Sequence, residues 1–400
     1  MKRKRVKTRV IIAIAGIAMT LIAAFIALLL ISGIFTSPQY LEPWQKNYSE
    51  SFEDPRIRLA AHGLLAANGH NMQPWKIKLD GNDPMAFDLY ADNERLPDKV
   101  DPLARQMMVT HGTFLEYVRI AGQRWGYRVD IQLFPQGEYD ERNLLASMAA
   151  KPVARIELER TAPRAEPLYD FLFLPDTNRG AYESGQLTAE EIKSLENVNT
   201  DARGISVTIY QDTENVEKLG GYAMKAAAVE AGVNRVMAES EVIFRANERE
   251  KNKYCYGFSV EGQGSSGIMR HLMQGLVTLF PSMNTGKAAA DTFMKSAAKS
   301  VDSTSAYAMI VTSDNTRTSQ VESGMAYSKL ILEAHRLGLA LQPLSQALEE
   351  YPEMQELYQG IHREYAHEGG TIQMLVRVGR PTREAPLSMR RDVMDLIAED

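Results

Sequence analysis

Apolar and polar residues alternate strictly in several short runs of the chain, and each run predicts a strand with one face buried. Trp75, Ile77 and Leu79 alternate with Lys76 and Lys78, Val129, Ile131 and Leu133 with Arg128, Asp130 and Gln132, and Ala154, Ile156 and Leu158 with Arg155, Glu157 and Glu159. Between the first two runs, Asp101 to Trp125 has no proline after Pro102 and places Met108, Leu115, Val118 and Ala121 at helical spacings. A comparable series begins near Leu187. It predicts a strand over Ile205–Tyr210, a helical stretch from about Val216 to Glu250, and strands at Ala306–Thr312 and Ile372–Val378. A helix from Thr318 to Leu337 carries a stripe of Val321, Gly324, Ser328, Ile331 and His335, small enough for close packing. Gly112 and Gly126 bracket the earlier helix and Gly324 and Gly338 the later one at equal separation, which points to a duplication. The glycine-rich stretch Asn247–Ser300 has no counterpart in the first half and reads as an inserted lid or, equally, as a plain surface excursion.

One segment departs from these patterns. Lys2, Arg3, Lys4, Arg5, Lys7 and Arg9 precede an uncharged stretch from Val10 to Phe35. At roughly 1.5 Å per residue such a helix crosses a hydrocarbon core of about 30 Å. A cleaved secretory signal has a shorter apolar region and a small-residue cleavage site, and Gly33-Ile34-Phe35-Thr36-Ser37 matches that site poorly. The expectation is an uncleaved single-pass anchor over residues 10–35 in the lipid bilayer. Its basic segment, residues 1–9, would stay in the cytoplasm and the globular part would lie outside it. Residues 36–54, with Pro38 and Pro43 and no sustained period, read as a tether lifting the domain off the membrane.

Composition narrows the function classes. Of 400 residues 44% are apolar and 24% charged, enough apolar content for a real core, and the net charge of -6 gives no reason to expect nucleic acid. The single cysteine, Cys255, has no partner for a disulfide or a metal cluster. His62, His111, His271, His335, His362 and His367 show no paired metal spacing, so no metal site is expected. Ser265-Ser266 lacks the Gly-x-Ser-x-Gly elbow of a serine hydrolase.

Candidate chemistry sits in Leu65-Ala66-Ala67-Asn68-Gly69-His70-Asn71-Met72-Gln73-Pro74-Trp75, a helix end passing through a polar turn into a strand. Asn68, Asn71 and Gln73 on a fixed turn can match the carbonyls and ring nitrogens of a flavin edge, and they can equally serve as a capped helix end. Asn71-x-Gln73-Pro74-Trp75 after a helix resembles the flavin-edge motif of nitroreductases. Further matches follow in order: Asp101-Pro102-x-x-Arg105-Gln106 with Gly112, Thr177-Asn178-Arg179-Gly180, Gly338-Leu339-x-x-Gln342-Pro343-Leu344, and Arg377-x-Gly379-Arg380-Pro381 with Arg390-Arg391. Together they resemble the internally duplicated, Acg-type branch of that superfamily over most of residues 55–398.

The resemblance implies an α+β fold of two related halves, residues 55–170 and 171–400, forming a pseudo-dimer that completes one FMN site as a monomer. It implies that Asn68, His70, Asn71 and Gln73 come from the first half and Thr177 and Arg179 from the second, near the phosphate. Leu344 and Ser345 would present backbone to the reactive flavin nitrogen, and Arg390 and Arg391 would grip the phosphate in a bidentate way. Where the family has paired basic residues before Thr-x-Arg, this chain has Pro175 and Asp176, which removes one phosphate contact and adds a negative charge. The expected chemistry is flavin-mediated reduction of a small electron-poor acceptor, with His70 as a packing neighbour of the ring and no protein nucleophile. The alternatives are an FMN-sequestering protein under a closed lid and a flavin-free structural module.

Overall fold

The computed structural model describes residues 2–198, 204–262, 264–366 and 369–398. The side chains of residues 2–6 and 8, and so Lys2, Arg3, Lys4 and Arg5 of the basic cluster, lie outside the described set, as does His367.

The chain opens with a helix, α1 (Lys2–Ser32), whose segment Arg9–Ser32 is apolar and long enough to cross a membrane and is exposed except toward its C-terminal end, where Ser32 is buried. The first half then runs α2 (Pro55–Gly63), β1 (Trp75–Leu79), β2 (Ala86–Ala91), α3 (Arg105–Trp125), β3 (Tyr127–Leu133), α4 (Leu144–Ala150) and β4 (Ala154–Arg160). Its four strands pair antiparallel in the order β1-β2-β4-β3. The second half begins with α5 (Ala189–Glu196) and β5 (Ile205–Tyr210). A long excursion follows: α6 (Thr213–Gly232), α7 (Asn234–Val242), β6 (Phe244–Arg245), α8 (Glu248–Tyr254), β7 (Phe258–Ser259), α9 (Gly267–Leu279) and α10 (Gly286–Asp302). The half closes with β8 (Tyr307–Thr312), α11 (Arg317–Arg336), β9 (Ala340–Pro343), α12 (Gln355–Tyr365) and β10 (Thr371–Gly379), paired antiparallel as β5-β8-β10-β9.

Counted in chain order within each half, both sheets run first, second, fourth, third, and both place their long helix between the second and third strands. Those two helices, α3 and α11, are buried over most of their length and cross at glycine. A β-carbon on Gly112 would stand 2.8 Å from the Gly324 Cα and drive into the Val321 carbonyl. One on Gly324 would stand 2.9 Å from the Gly112 Cα and drive into the Val109 carbonyl. The contact is reciprocal, and only glycine on both sides lets the backbones approach so closely.

Two expectations need correcting and one element is added. The helical stretch from Val216 to Glu250 is not continuous: α6 ends at Gly232, α7 ends at Val242, and the two-residue strand β6 precedes α8. Strand β2 is an addition: Phe87, Leu89 and Ala91 are buried and alternate with half-buried Asp88 and Tyr90, a short run not among those expected from the sequence. Residues 36–54 lie against the domain instead of lifting it. Tyr40, Pro43 and Trp44 are buried, the Trp44 indole donates to the Ser388 carbonyl at 2.8 Å, and the Tyr40 hydroxyl donates to Glu248 at 2.7 Å. The C-terminal segment also returns to the first half, where the Ala398 amide donates to the Ile77 carbonyl at 2.7 Å.

Candidate functional site

The turn between α2 and β1 is built under strain. His70, Asn71 and Gln73 all have left-handed backbone, with φ of 54°, 52° and 51°, a region that non-glycine residues enter only when their surroundings force it. The forcing contacts are visible. Asn68 accepts the Gln73 amide at 2.8 Å, and the Gln73 side chain donates to the Cys255 carbonyl at 2.9 Å and accepts the Arg391 amide at 2.9 Å. Asn71 donates to the Met389 carbonyl at 3.1 Å and accepts from the Arg390 guanidinium at 3.0 Å. The turn is therefore clamped between the C-terminal segment and the α8–β7 connection. This leaves His70 free to project away from it.

On that side two cavities join. The larger, of 340 Å³ and with mostly apolar walls, lies between the turn, α3, β9 and a roof formed by α7 and α10. Its size falls in the range of roughly 300–1,000 Å³ usual for small-molecule sites. The smaller, of 290 Å³, is more polar and extends toward residues 383–390. Asn68, His70, Thr177 and Arg179 line both and so mark the junction.

Arg179 dominates the charge there. Its segment is pinned: the Asn178 amide donates to the Leu341 carbonyl at 2.9 Å, and buried Arg377 donates to the Asn178 and Gly180 carbonyls at 3.2 and 2.6 Å. The Arg179 guanidinium is surrounded by protein yet keeps open surface, because the space beside it is the cavity. Among the described residues it has no hydrogen-bond or ion-pair partner, and burial pulls its pKa down. A guanidinium that faces a cavity without a protein partner is available to pair with an anion there. His70 is also enclosed: burial first, and the Arg179 charge second, lower its pKa to about 4 and keep the imidazole neutral. Its ring lies 5.3 Å from that of Phe258.

Arg390 is buried and committed to the protein. It donates to the Leu65 carbonyl at 2.7 Å, sits 3.4 Å from Asp176, and stacks over Trp44 at 4.6 Å. Asp176 in turn accepts from the Tyr117 hydroxyl at 2.7 Å, and burial, partly offset by Arg390 and Tyr117, raises its carboxyl pKa to about 6. The Asp176 carboxyl is thus matched within the protein by Arg390 and Tyr117.

Of the ten residues singled out in the sequence, Asn68, His70, Thr177 and Arg179 line both cavities. Leu344 and Ser345 line the larger, and Asn71 and Arg390 the smaller. Gln73 and Arg391 reach neither. Gln73 is wholly buried, and the Arg391 side chain donates to the Gln73 and Asp395 carbonyls at 3.3 and 2.5 Å. Asn71 and Arg179, from opposite halves, meet at one chamber.

Sequence reasoning missed two acids. Glu230 and Glu349 line the inner end of the larger cavity, and each has a buried Oε2 without a partner. Burial raises the Glu230 carboxyl to about 7 and, with the neighbouring Glu230 and Asp101, pushes Glu349 well above the usual range. Glu230 had a signal: it continues the buried stripe of Ala223, Ala226 and Ala227 on α6, where an acid is out of place. Glu349 had none. Arg383, in the smaller cavity and likewise without a side-chain partner among the described residues, was also missed.

No family model and no curated protein matches the chain. Among solved structures it is similar to a nitroreductase-like family protein from Bacillus cereus, at 11% identity and a TM-score of 0.32 over 60% of this chain and 99% of that one. It is also similar to the FMN-dependent nitroreductase of Mycobacterium smegmatis in complex with NADPH, at 14% identity and a TM-score of 0.31 over 52% and 84%. A third is a nitroreductase with bound FMN from Bacteroides fragilis, at 10% identity and 0.32 over 57% and 95%. Likenesses at such TM-scores carry no argument about this chain.

Proposed function

We propose that the chain is a membrane-anchored, FMN-binding oxidoreductase of nitroreductase type, built by duplication so that one chain supplies both sides of one site. The observation that carries this reading is the pair of joined cavities where the two halves meet, one apolar and one polar, with Arg179 at the junction lacking a protein partner. A planar ring with a phosphorylated tail fits those two environments. Arg179 and Arg383 would take the phosphate, and Asn68, His70, Leu344 and Ser345 would border the ring. Bound FMN would supply the transfer of one or two electrons.

The residues of this chain do the rest. The clamped turn holds Asn68 and His70 in place before any ligand arrives. Neutral His70 offers one ring nitrogen as donor and the other as acceptor without adding charge to that of Arg179. The roof of α7 and α10 would shield a ring bound in the apolar cavity from water. Glu230 and Glu349, which burial keeps protonated to higher pH, can hold a proton at the inner wall for a substrate being reduced. Two-fold topology and the reciprocal glycine crossing support the duplication, and the apolar Arg9–Ser32 segment supports the anchor over residues 10–35, with the N-terminus cytoplasmic and the domain outside.

A second reading, storage of FMN without turnover, is favoured by the same roof, which covers the cavity. The full chain purified in detergent should show the visible absorbance of a bound flavin, and Arg179→Ala should lower its affinity. Dithionite bleaching followed by reoxidation with a nitroaromatic or quinone faster than with oxygen supports the enzyme, and oxygen-limited reoxidation supports storage. A colourless protein that takes up no added FMN defeats both.

A further inference from the structure

Exposed large apolar side chains outside residues 1–35 are scattered singly over the molecule, with one exception. Ile268, Met269, Leu279, Phe280 and Met283 are 43–55% exposed and fall within sixteen residues spanning α9 and the turn after it. Contiguous apolar surface on a folded protein marks an interaction site. Helix α9 contains no acidic residue, and its single cation, Arg270, lies near the N-terminal end.

The position of this patch identifies what covers it. Helix α9 packs along the C-terminal part of α1: Ser32 Oγ lies 3.1 Å from His271 Nδ1, and a β-carbon on Gly275 would stand 2.5 Å from the Leu28 carbonyl oxygen. Four residues forward on α9 match four residues back on α1, so the helices run antiparallel. Continuing that register sets Leu279 level with residue 24, roughly 12 Å below Ser32 at about 1.5 Å per residue. Polar groups mark the upper level. Glu248 accepts from Gln274 at 2.8 Å and pairs with Lys251 at 3.1 Å, and Lys251 also pairs with Glu261. Below it, α9 and the tip at Phe280 and Met283 carry no charge. Charge returns at once beyond the tip, where Glu241 accepts the Gly286 amide at 2.6 Å and Lys287 follows, and a lysine there can extend its amine to the headgroups.

We propose that the C-terminal part of α9, from Gly275 on, and residues 280–284 are immersed in the phospholipid bilayer beside α1, and that the larger cavity therefore exchanges its ligand with the membrane, its ligand class being a planar, lipid-soluble molecule. Asn284, the last residue of the immersed turn, and Phe293 on α10 both line that cavity, so its roof is continuous with the patch. The proposal rests on the bilayer reading of α1 given above and does not depend on flavin.

The test uses the full chain with Cys255→Ser, carrying single nitroxide-labelled cysteines in phosphatidylcholine vesicles. Labels at Phe280→Cys, Met283→Cys and Leu279→Cys should be relaxed far more by dissolved oxygen than by a water-soluble nickel chelate, as should a label at Ile17→Cys in α1. A label at exposed Leu145→Cys should show the reverse. If the labels at Leu279, Phe280 and Met283 behave like Leu145 while Ile17 stays lipid-like, the proposal falls and the anchor stands. If Ile17 also behaves like Leu145, both fall. A label at Phe293→Cys should broaden when a prenylated naphthoquinone is mixed into the vesicles and stay sharp with a sulfonated one added to the water. Any other pattern overturns the ligand class.

Discussion

The two halves share one strand order and one helix crossing, yet they differ in what they place between their first two strands. The first half closes β1 to β2 within residues 80–85, whereas the second spends residues 211–306 between β5 and β8. The shared part is where the halves touch: α3 and α11 meet at glycines that tolerate no side chain. The differing part lies away from that contact and carries the roof of the larger cavity and the apolar patch beside α1. Packing constrains a helix pair on both sides, while a surface connection is free to grow. The first half contributes a rigid turn and the second a cover.

The largest expected effect comes from cutting the tie between the halves. Arg390→Ala leaves Asp176 buried without its cation and should cost about 3–5 kcal/mol of unfolding free energy. Adding Asp176→Asn should recover part of that loss, and denaturant midpoints of the two singles and the double read the coupling. Gly112→Ala and Gly324→Ala test the reciprocity. Each should cost about 1–3 kcal/mol by overpacking, and the double should cost less than the sum, because one separation of the helices relieves both clashes. Equal midpoints for wild type and either single would show that the crossing is not tight.

At the junction, Arg179→Ala should weaken FMN binding roughly tenfold to a hundredfold, the scale of about 1.5–3 kcal/mol for a hydrogen bond to a charged group. Flavin fluorescence titration measures it. Asn71→Ala, whose amide is already occupied by Met389 and Arg390, should instead lower stability by about 1 kcal/mol with little change in flavin affinity.

A separate effect concerns pH. Burial raises Glu230 from 4.5 to about 7, so the fold holds a proton there that the unfolded chain has lost. The stability this contributes is fully present below about pH 4.5 and disappears as pH rises through about 7. Glu230→Gln should abolish that slope, an effect of about 1–3 kcal/mol across the window. His62 and His335 act oppositely. Burial lowers both to about 4, so their contribution is present above pH 6.5 and is lost as pH falls toward 4. Thermal melts of wild type and variant from pH 4.5 to 7.5 separate the two trends.

Strands with one solvated face were legible, because alternation records the two environments residue by residue: β1, β3 and β4 all lie where Trp75, Val129 and Ala154 begin their runs. Helix α3 and helix α11 were legible from spacing, and the small-residue stripe through Gly324 announced close packing of the later one. Strand β2 has the same alternation, but its run is short and Tyr90 on the half-buried face reads as apolar, and no proline marks the breaks after Gly232 and Val242.

What the sequence determined by itself is the local order: which segments form strands or helices, where the polar turn lies, and that residues 10–35 are apolar. Only the tertiary structure decided which polar residues of that turn are spent on the protein and which face open space. Gln73, Arg390 and Arg391 look like ligand-binding groups along the chain, but segments remote in sequence satisfy them, while Arg179 is left unpaired and Glu230 is carried inward on a helix of alanines. Hydrogen bonds and charge pairs act through space at a few ångströms. A linear pattern records the donors and acceptors available, and the fold alone settles which of them meet.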